Sequence, residues 1–147
     1  MIIRNAKIKD SETIAKNNVM LADEAEGEKL SYDKALEGVK SVISDLQKGF
    51  YIVAEENQKI IGELFITYEW SDWFNHNCWW VQSVYVDKAH RGKEVFKDLL
   101  DYVKQLSIEN DVKSLKLYVY NKNEKAIKAY EKNGMKRKPH YIYEMKY

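Results

Sequence analysis

Trp79-Trp80-Val81-Gln82-Ser83-Val84-Tyr85-Val86 leads, across Asp87–His90, into Arg91-Gly92-Lys93-Glu94-Val95-Phe96. The first run has the β-branched and aromatic weight of a strand. Beyond the glycine, Val95, Leu99, Val103 and Leu106 recur at helical spacing with Leu100 beside them. Residues 79–110 are therefore predicted to form a strand, a loop and an amphipathic helix. At such a junction the first helical turn presents free amide N–H groups, and the helix dipole adds roughly half a positive charge. Anions dock there readily. Gly92 permits close backbone approach or a positive φ, and Arg91 and Lys93 place charge on either side of it. Read alone, the same stretch also suits a helix entered through a glycine turn with two solvated bases.

Working outward, the spacing predicts a strand over 1–8, helices over 10–22 and 31–48, and strands over 50–56 and 59–69. In the second helix Ala35, Val39, Val42, Ile43 and Leu46 form one apolar stripe, a core-packing face. Glu56-Asn57-Gln58-Lys59 separates two apolar runs and reads as a hairpin turn. After the central stretch, Leu115, Leu117 and Val119 alternate as in a strand. Asn123 suits a helix cap, and Asn133-Gly134 suits the helix end. The tail alternates Tyr141, Tyr143, Met145 and Tyr147 against Ile142, Glu144 and Lys146, a final strand by pattern. The order is that of a mixed α/β protein.

A chain of 147 residues suits a single domain, 1–147, with a real core. With 24 basic and 23 acidic residues the net charge is +1, so nothing global draws it to nucleic acid or to a membrane surface. Cys78 is the single cysteine, which excludes an intramolecular disulfide, and no Cys/His cluster has metal-ligand spacing. No apolar window approaches the ~20 residues of a spanning helix, and Met1-Ile2-Ile3 is too short for a leader. A cytoplasmic protein acting on small molecules, with no metal, is expected.

Ser83-Val84-Tyr85-Val86, His90-Arg91-Gly92-Lys93 and the run from Asn123 through Tyr130 to Gly134-Met135 together resemble the GNAT superfamily of N-acetyltransferases over nearly the whole chain. The resemblance implies a mostly antiparallel mixed sheet of six to seven strands flanked by about four helices, splayed at an acetyl-CoA site. It implies acetyl transfer to a primary amine by direct attack, with CoA as product. It carries the cofactor onto Val84, Tyr85 and Val86, onto the loop Arg91, Gly92, Lys93, Glu94, Val95 and Phe96, and onto Asn123, Ala126 and Tyr130. Tyr130 takes the position of the thiolate's proton donor, although a core aromatic is the other reading of that residue. Asn123 is a CoA-contacting amide, an ordinary helix cap, or both. Two positions depart from the family loop, which usually has Gln or Arg where Ala89 stands and a small residue where Glu94 stands.

Gln82 occupies the place where many family members carry a catalytic Glu, and an amide is no base. Three routes then remain for the amine's proton: a water chain polarised by Gln82, another carboxylate such as Glu63 or Glu69, or an acceptor that arrives neutral. Tyr68, Glu69, Trp70, Trp73, Phe74, Trp79 and Trp80 crowd into thirteen residues, a density that suits a cationic acceptor, a homodimer interface or plain core. Glu24 and Glu28, among four carboxylates around Gly27, border the acceptor side in this family and otherwise read as a solvated loop. Cys78 has no evident histidine partner in sequence. A non-catalytic CoA-binding or dimeric interaction module of the same fold is the alternative reading.

Overall fold

The computed structural model describes residues 1–147. Eleven segments follow in chain order: β1 (Ile2–Asn5), a 3-10 turn (Ile8–Asp10), α1 (Ser11–Glu26), α2 (Tyr32–Ser44), β2 (Phe50–Glu56), β3 (Lys59–Ser71), β4 (His76–Val86), a second 3-10 turn (Lys88–His90), α3 (Val95–Glu109), β5 (Val112–Lys116) and α4 (Glu124–Lys132). The strands form one sheet in the order β1-β2-β3-β4-β5, with the first three pairings antiparallel and β4–β5 parallel.

β2 explains the layering. Its run Tyr51-Ile52-Val53-Ala54 is buried throughout, the mark of an interior strand covered on both faces. Ile52 and Ala54 join Leu64, Ile66, Trp79 and Val81 beneath Val95, Leu99 and Val103 of α3. Tyr51 and Val53 face the other way, onto Ile14 and Ala15 of α1 and Val39 and Val42 of α2. The sheet is thus held between α3 on one side and α1–α2 on the other. Gly62 lets α3 sit close, because a Cβ there would lie 2.9 Å from Val95 Cγ1. The β2–β3 hairpin turns through Asn57 and Gln58, both at positive φ, the geometry that matches the strands' right-handed twist.

Two features of β4 shape the functional face. Phe65 pairs with Ser83 while Ile66 pairs with Val81, so Gln82 is the extra residue of a bulge. The β4–β5 ladder runs only from Asn77–Val112 to Trp80–Lys116, and past that point β4 continues to Val86 without a partner on that side. This is the expected splay.

The sheet has five strands rather than the six or seven expected. Residues 117–120 leave the ladder, and 133–147 form neither helix nor strand. The alternating tail is solvent-exposed, with Tyr141, Tyr143 and Tyr147 almost fully so. A period-two pattern makes a strand only where an edge pairs with it, and here none does. The second helix stops at Ser44, earlier than its stripe, and Leu46 lies exposed in the turn beyond it. The first helix runs four residues longer than expected, to Glu26, and ends on Gly27 in the left-handed conformation.

Candidate functional site

The loop between β4 and α3 has the predicted form. Gly92 has φ 78° and Glu94 has φ 65° as the residue capping α3, so two left-handed residues bracket Lys93. The first helical bond of α3 runs from the Asp98 amide to the Glu94 carbonyl. The amides from Gly92 to Phe96 donate no hydrogen bond to the rest of the chain, and the helix dipole adds to their positive potential. An added Cβ at Gly92 meets no atom within 4 Å, so the glycine serves the turn's φ and leaves the space beside the amides open.

That space is a cleft of about 230 Å³ between the loop and α4, lined by Val86, Arg91, Glu94, Phe96, Lys97 and Lys132 among others. Tyr130, next in α4 to the lining residue Ala129, packs edge-on to Phe96 with ring centroids 5.5 Å apart. Burial pushes its phenol pKa up, so Tyr130 keeps its proton at neutral pH. Asn123 caps α4, its side-chain oxygen accepting from the Ala126 amide at 3.2 Å. Its Oδ1 therefore takes part in the helix cap, and its side-chain NH₂ makes no hydrogen bond within the chain. Glu94 does not aim at empty space, since its Oε1 lies 3.9 Å from Lys132 Nζ.

Arg91 is more constrained than the sequence suggests. Its Nε donates to the Val86 carbonyl at 2.9 Å and its Nη2 to Glu24 at 2.7 Å, while its guanidinium lies over the Tyr85 ring. Lys88 reaches the same Glu24 at 3.2 Å. These two bases, Arg91 first, hold the Glu24 carboxyl below its ordinary pKa. Glu24 thus ties the end of α1 to the β4–α3 loop, and Glu28 stays exposed. Val84 and Val86 pack their side chains against the α3-side core and Tyr85 donates to Met20 Sδ, so this strand offers a ligand its backbone.

On the α1–α2 side, past the helices, the splayed strands carry a polar face. Gln82 Nε2 donates to Thr67 Oγ1 at 2.9 Å, and Tyr118 donates to Gln82 Oε1 at 3.0 Å. Next to them the Trp80 ring lies against Tyr118, and Trp80 Nε1 donates to Glu69 Oε1 at 3.3 Å. Lys116 Nζ donates to the other oxygen of Glu69 at 2.7 Å. Lys116 is the foremost reason that the Glu69 carboxyl is held below its usual pKa. Glu69 is accordingly a weak base.

Tyr68 and Trp70, which flank Glu69 in the chain, project from the opposite face because strand residues alternate. Tyr68 packs with Phe50 and Trp79 and donates to the Leu46 carbonyl at 2.7 Å. Trp70 is exposed near the hairpin tip with Trp73 and Phe74. Glu63, the other candidate base, is fully buried beneath α1, where Asn17 donates to its Oε2 at 2.8 Å and its Oε1 has no partner. Burial, the largest cause, pushes its pKa up to about 8; the Asn17 bond opposes this and the Asp10 charge adds to it. Neither carboxylate is free to receive an amine's proton. Two contacts were missed in the sequence: the Lys116–Glu69 pair, which joins segments 47 residues apart, and His76 Nδ1 lying 3.6 Å from Cys78 Sγ, a same-face i,i+2 pair that the strand alternation of β4 could have shown.

The model of the acetyltransferase (GNAT) family matches residues 18–135. The crystal structure of a possible acetyltransferase from Clostridium difficile 630 is similar at 39% identity and TM-score 0.91, covering 99% of this chain and 97% of that one. A ribosomal-protein-alanine N-acetyltransferase from Brucella melitensis biovar Abortus 2308 shares the fold at TM-score 0.80 and 17% identity, with 100% of both chains covered. A transcriptional regulator from Bacillus halodurans C-125 shares it at TM-score 0.82 and 22% identity, covering 99% of each chain. No curated protein matches the sequence.

Proposed function

The chain belongs to the GNAT family of acetyltransferases, and from that premise we propose that it moves the acetyl group of acetyl-CoA to a primary amine of a small molecule or a peptide by direct attack in a ternary complex. The observation that carries this reading is one juxtaposition. An amide-lined cleft, whose lining residue Phe96 packs edge-on to Tyr130, opens beside the unpaired run of β4, and the polar face of Gln82, Trp80 and Glu69 adjoins that run.

The residues fit the group. The free amides of Gly92 to Phe96, with Arg91, Lys93, Lys97 and Lys132 around them, would hold the pyrophosphate, and Glu94 is offset by Lys132. The backbone of Val84–Val86 would hold the pantetheine, with Asn123 and Ala126 at the start of α4 flanking it. Bound acetyl-CoA supplies an activated thioester. The unpaired amides of β4 stabilise negative charge that develops on a carbonyl oxygen beside them. Tyr130 holds a proton at its hydroxyl for a departing sulfur. Gln82, fixed between Thr67 and Tyr118, positions the amine or a water without removing a proton itself. The amine therefore reacts in its neutral form.

The test is acetyl-CoA-dependent thiol release across a panel of amines, with the acetylated product identified by mass. Acceptor-dependent release supports the proposal. Binding of acetyl-CoA with no release for any amine would favour the non-catalytic CoA-binding module, the reading to which Gln82 lends weight. The exposed Trp70, Trp73 and Phe74 are where a homodimer contact is expected, and sedimentation velocity reads it directly.

A further inference from the structure

The polar face contains a cation site that is already filled by the chain itself. Glu69 spends one oxygen on Trp80 Nε1 at 3.3 Å and the other on Lys116 Nζ at 2.7 Å. The same ammonium lies 5.8 Å from the centroid of the Trp80 ring. A carboxylate beside an aromatic face is what an alkylammonium ligand seeks. Lys116 and Glu69 are both partly open to solvent, so an incoming cation can compete for the site. Thr67, which Gln82 contacts, precedes Glu69 by two strand positions on the same face, a spacing of about 7 Å. That distance matches the two nitrogens of a five-carbon diamine.

We infer that Lys116 is a tethered stand-in for the second ammonium of a diamine acceptor, occupying the Glu69–Trp80 site and selecting against dications. The inference rests on the proposal that this face receives the amine. With Lys116 in place the site carries no net charge, and a singly charged alkylamine reacts at Gln82 without needing it. With Lys116 removed, Glu69 is left to the distal ammonium.

The experiment compares 1,5-diaminopentane with pentylamine in the wild type, Lys116→Gln, Lys116→Arg and the double variant Lys116→Gln/Glu69→Gln. Two quantities are measured: KM in thiol release, and Kd from calorimetric titration of the diamine into protein without acetyl-CoA. In Lys116→Gln the diamine's KM and Kd are expected to fall about fivefold, the scale of one exposed ion pair, while pentylamine does not move. Lys116→Arg should behave as wild type, and the double variant should lose the gain. Amine turnover by the wild type with unchanged or weaker diamine binding in Lys116→Gln would overturn this inference and leave the proposed function standing. Thiol release with no amine in any variant would overturn both.

Discussion

At the residue scale, Tyr130 and Glu63 are two buried groups whose protons can be followed directly. Tyr130→Phe keeps the ring that packs on Phe96 and removes the proton. It is expected to lower kcat by about a hundredfold or more, the usual size of a general-acid contribution, with acetyl-CoA affinity within about threefold of wild type by calorimetry. Unchanged turnover would remove Tyr130 from the chemistry. Glu63 gives a prediction on stability. Its pKa is about 8 when folded against an ordinary 4.5, so between those values the folded state holds a proton that the unfolded chain has lost. Stability then falls as pH rises from about 4.5 to 8 and levels off above, a contribution on the order of 3 to 5 kcal/mol. In Glu63→Gln that component is absent, so the stability difference between variant and wild type, read by denaturant melts from pH 5 to 9, should grow in the variant's favour with pH. A difference independent of pH would mean that Glu63 is ionised in the fold. Both residues were visible in the sequence as candidates. Their environments were not, because burial under α1 and contact with α3 depend on tertiary packing.

At the scale of elements, the strand–loop–helix at 79–110 was legible because periodicity, a glycine and flanking charges agree there. The positive φ at Gly92 follows from the same stretch. Replacing it with Ala forces a Cβ into the left-handed region at a cost of about 1 kcal/mol and points it toward the open side of the amide cradle. Thermal melts should show that modest loss, and acetyl-CoA affinity should fall by about tenfold, the equivalent of one good hydrogen bond. Unaltered affinity would move the pyrophosphate off the loop. The bulge at Gln82 and the end of the β4–β5 ladder at Lys116 were not legible as such, since register is a property of two strands and the sequence shows one at a time. The same reason split the aromatic cluster: Glu69 and Trp80 share a face, while Tyr68 and Trp70, neighbours in sequence, go to the other. The tail at 141–147 has a strand's alternation, yet no edge receives it.

For the whole molecule, the two layers of helix hold α1 and α3 on opposite faces of the sheet, while the β4–α3 loop joins them through Glu24 and Arg91. Turnover should inherit a simple pH dependence from the polar face, where Glu63 is buried and Glu69 is engaged by Lys116. With no free carboxylate, kcat/KM should rise with pH toward the acceptor's own amine pKa, near 10 for an alkylamine by analogy with lysine. A plateau reached near pH 7 would reveal a base among the residues of that face. All of this depends on the cleft between α3 and α4 receiving acetyl-CoA, and calorimetric titration of the purified protein measures that with ATP and NAD as controls. The account predicts saturable, one-to-one binding of acetyl-CoA that neither control reproduces. No heat with acetyl-CoA, or equal binding of all three, would contradict it.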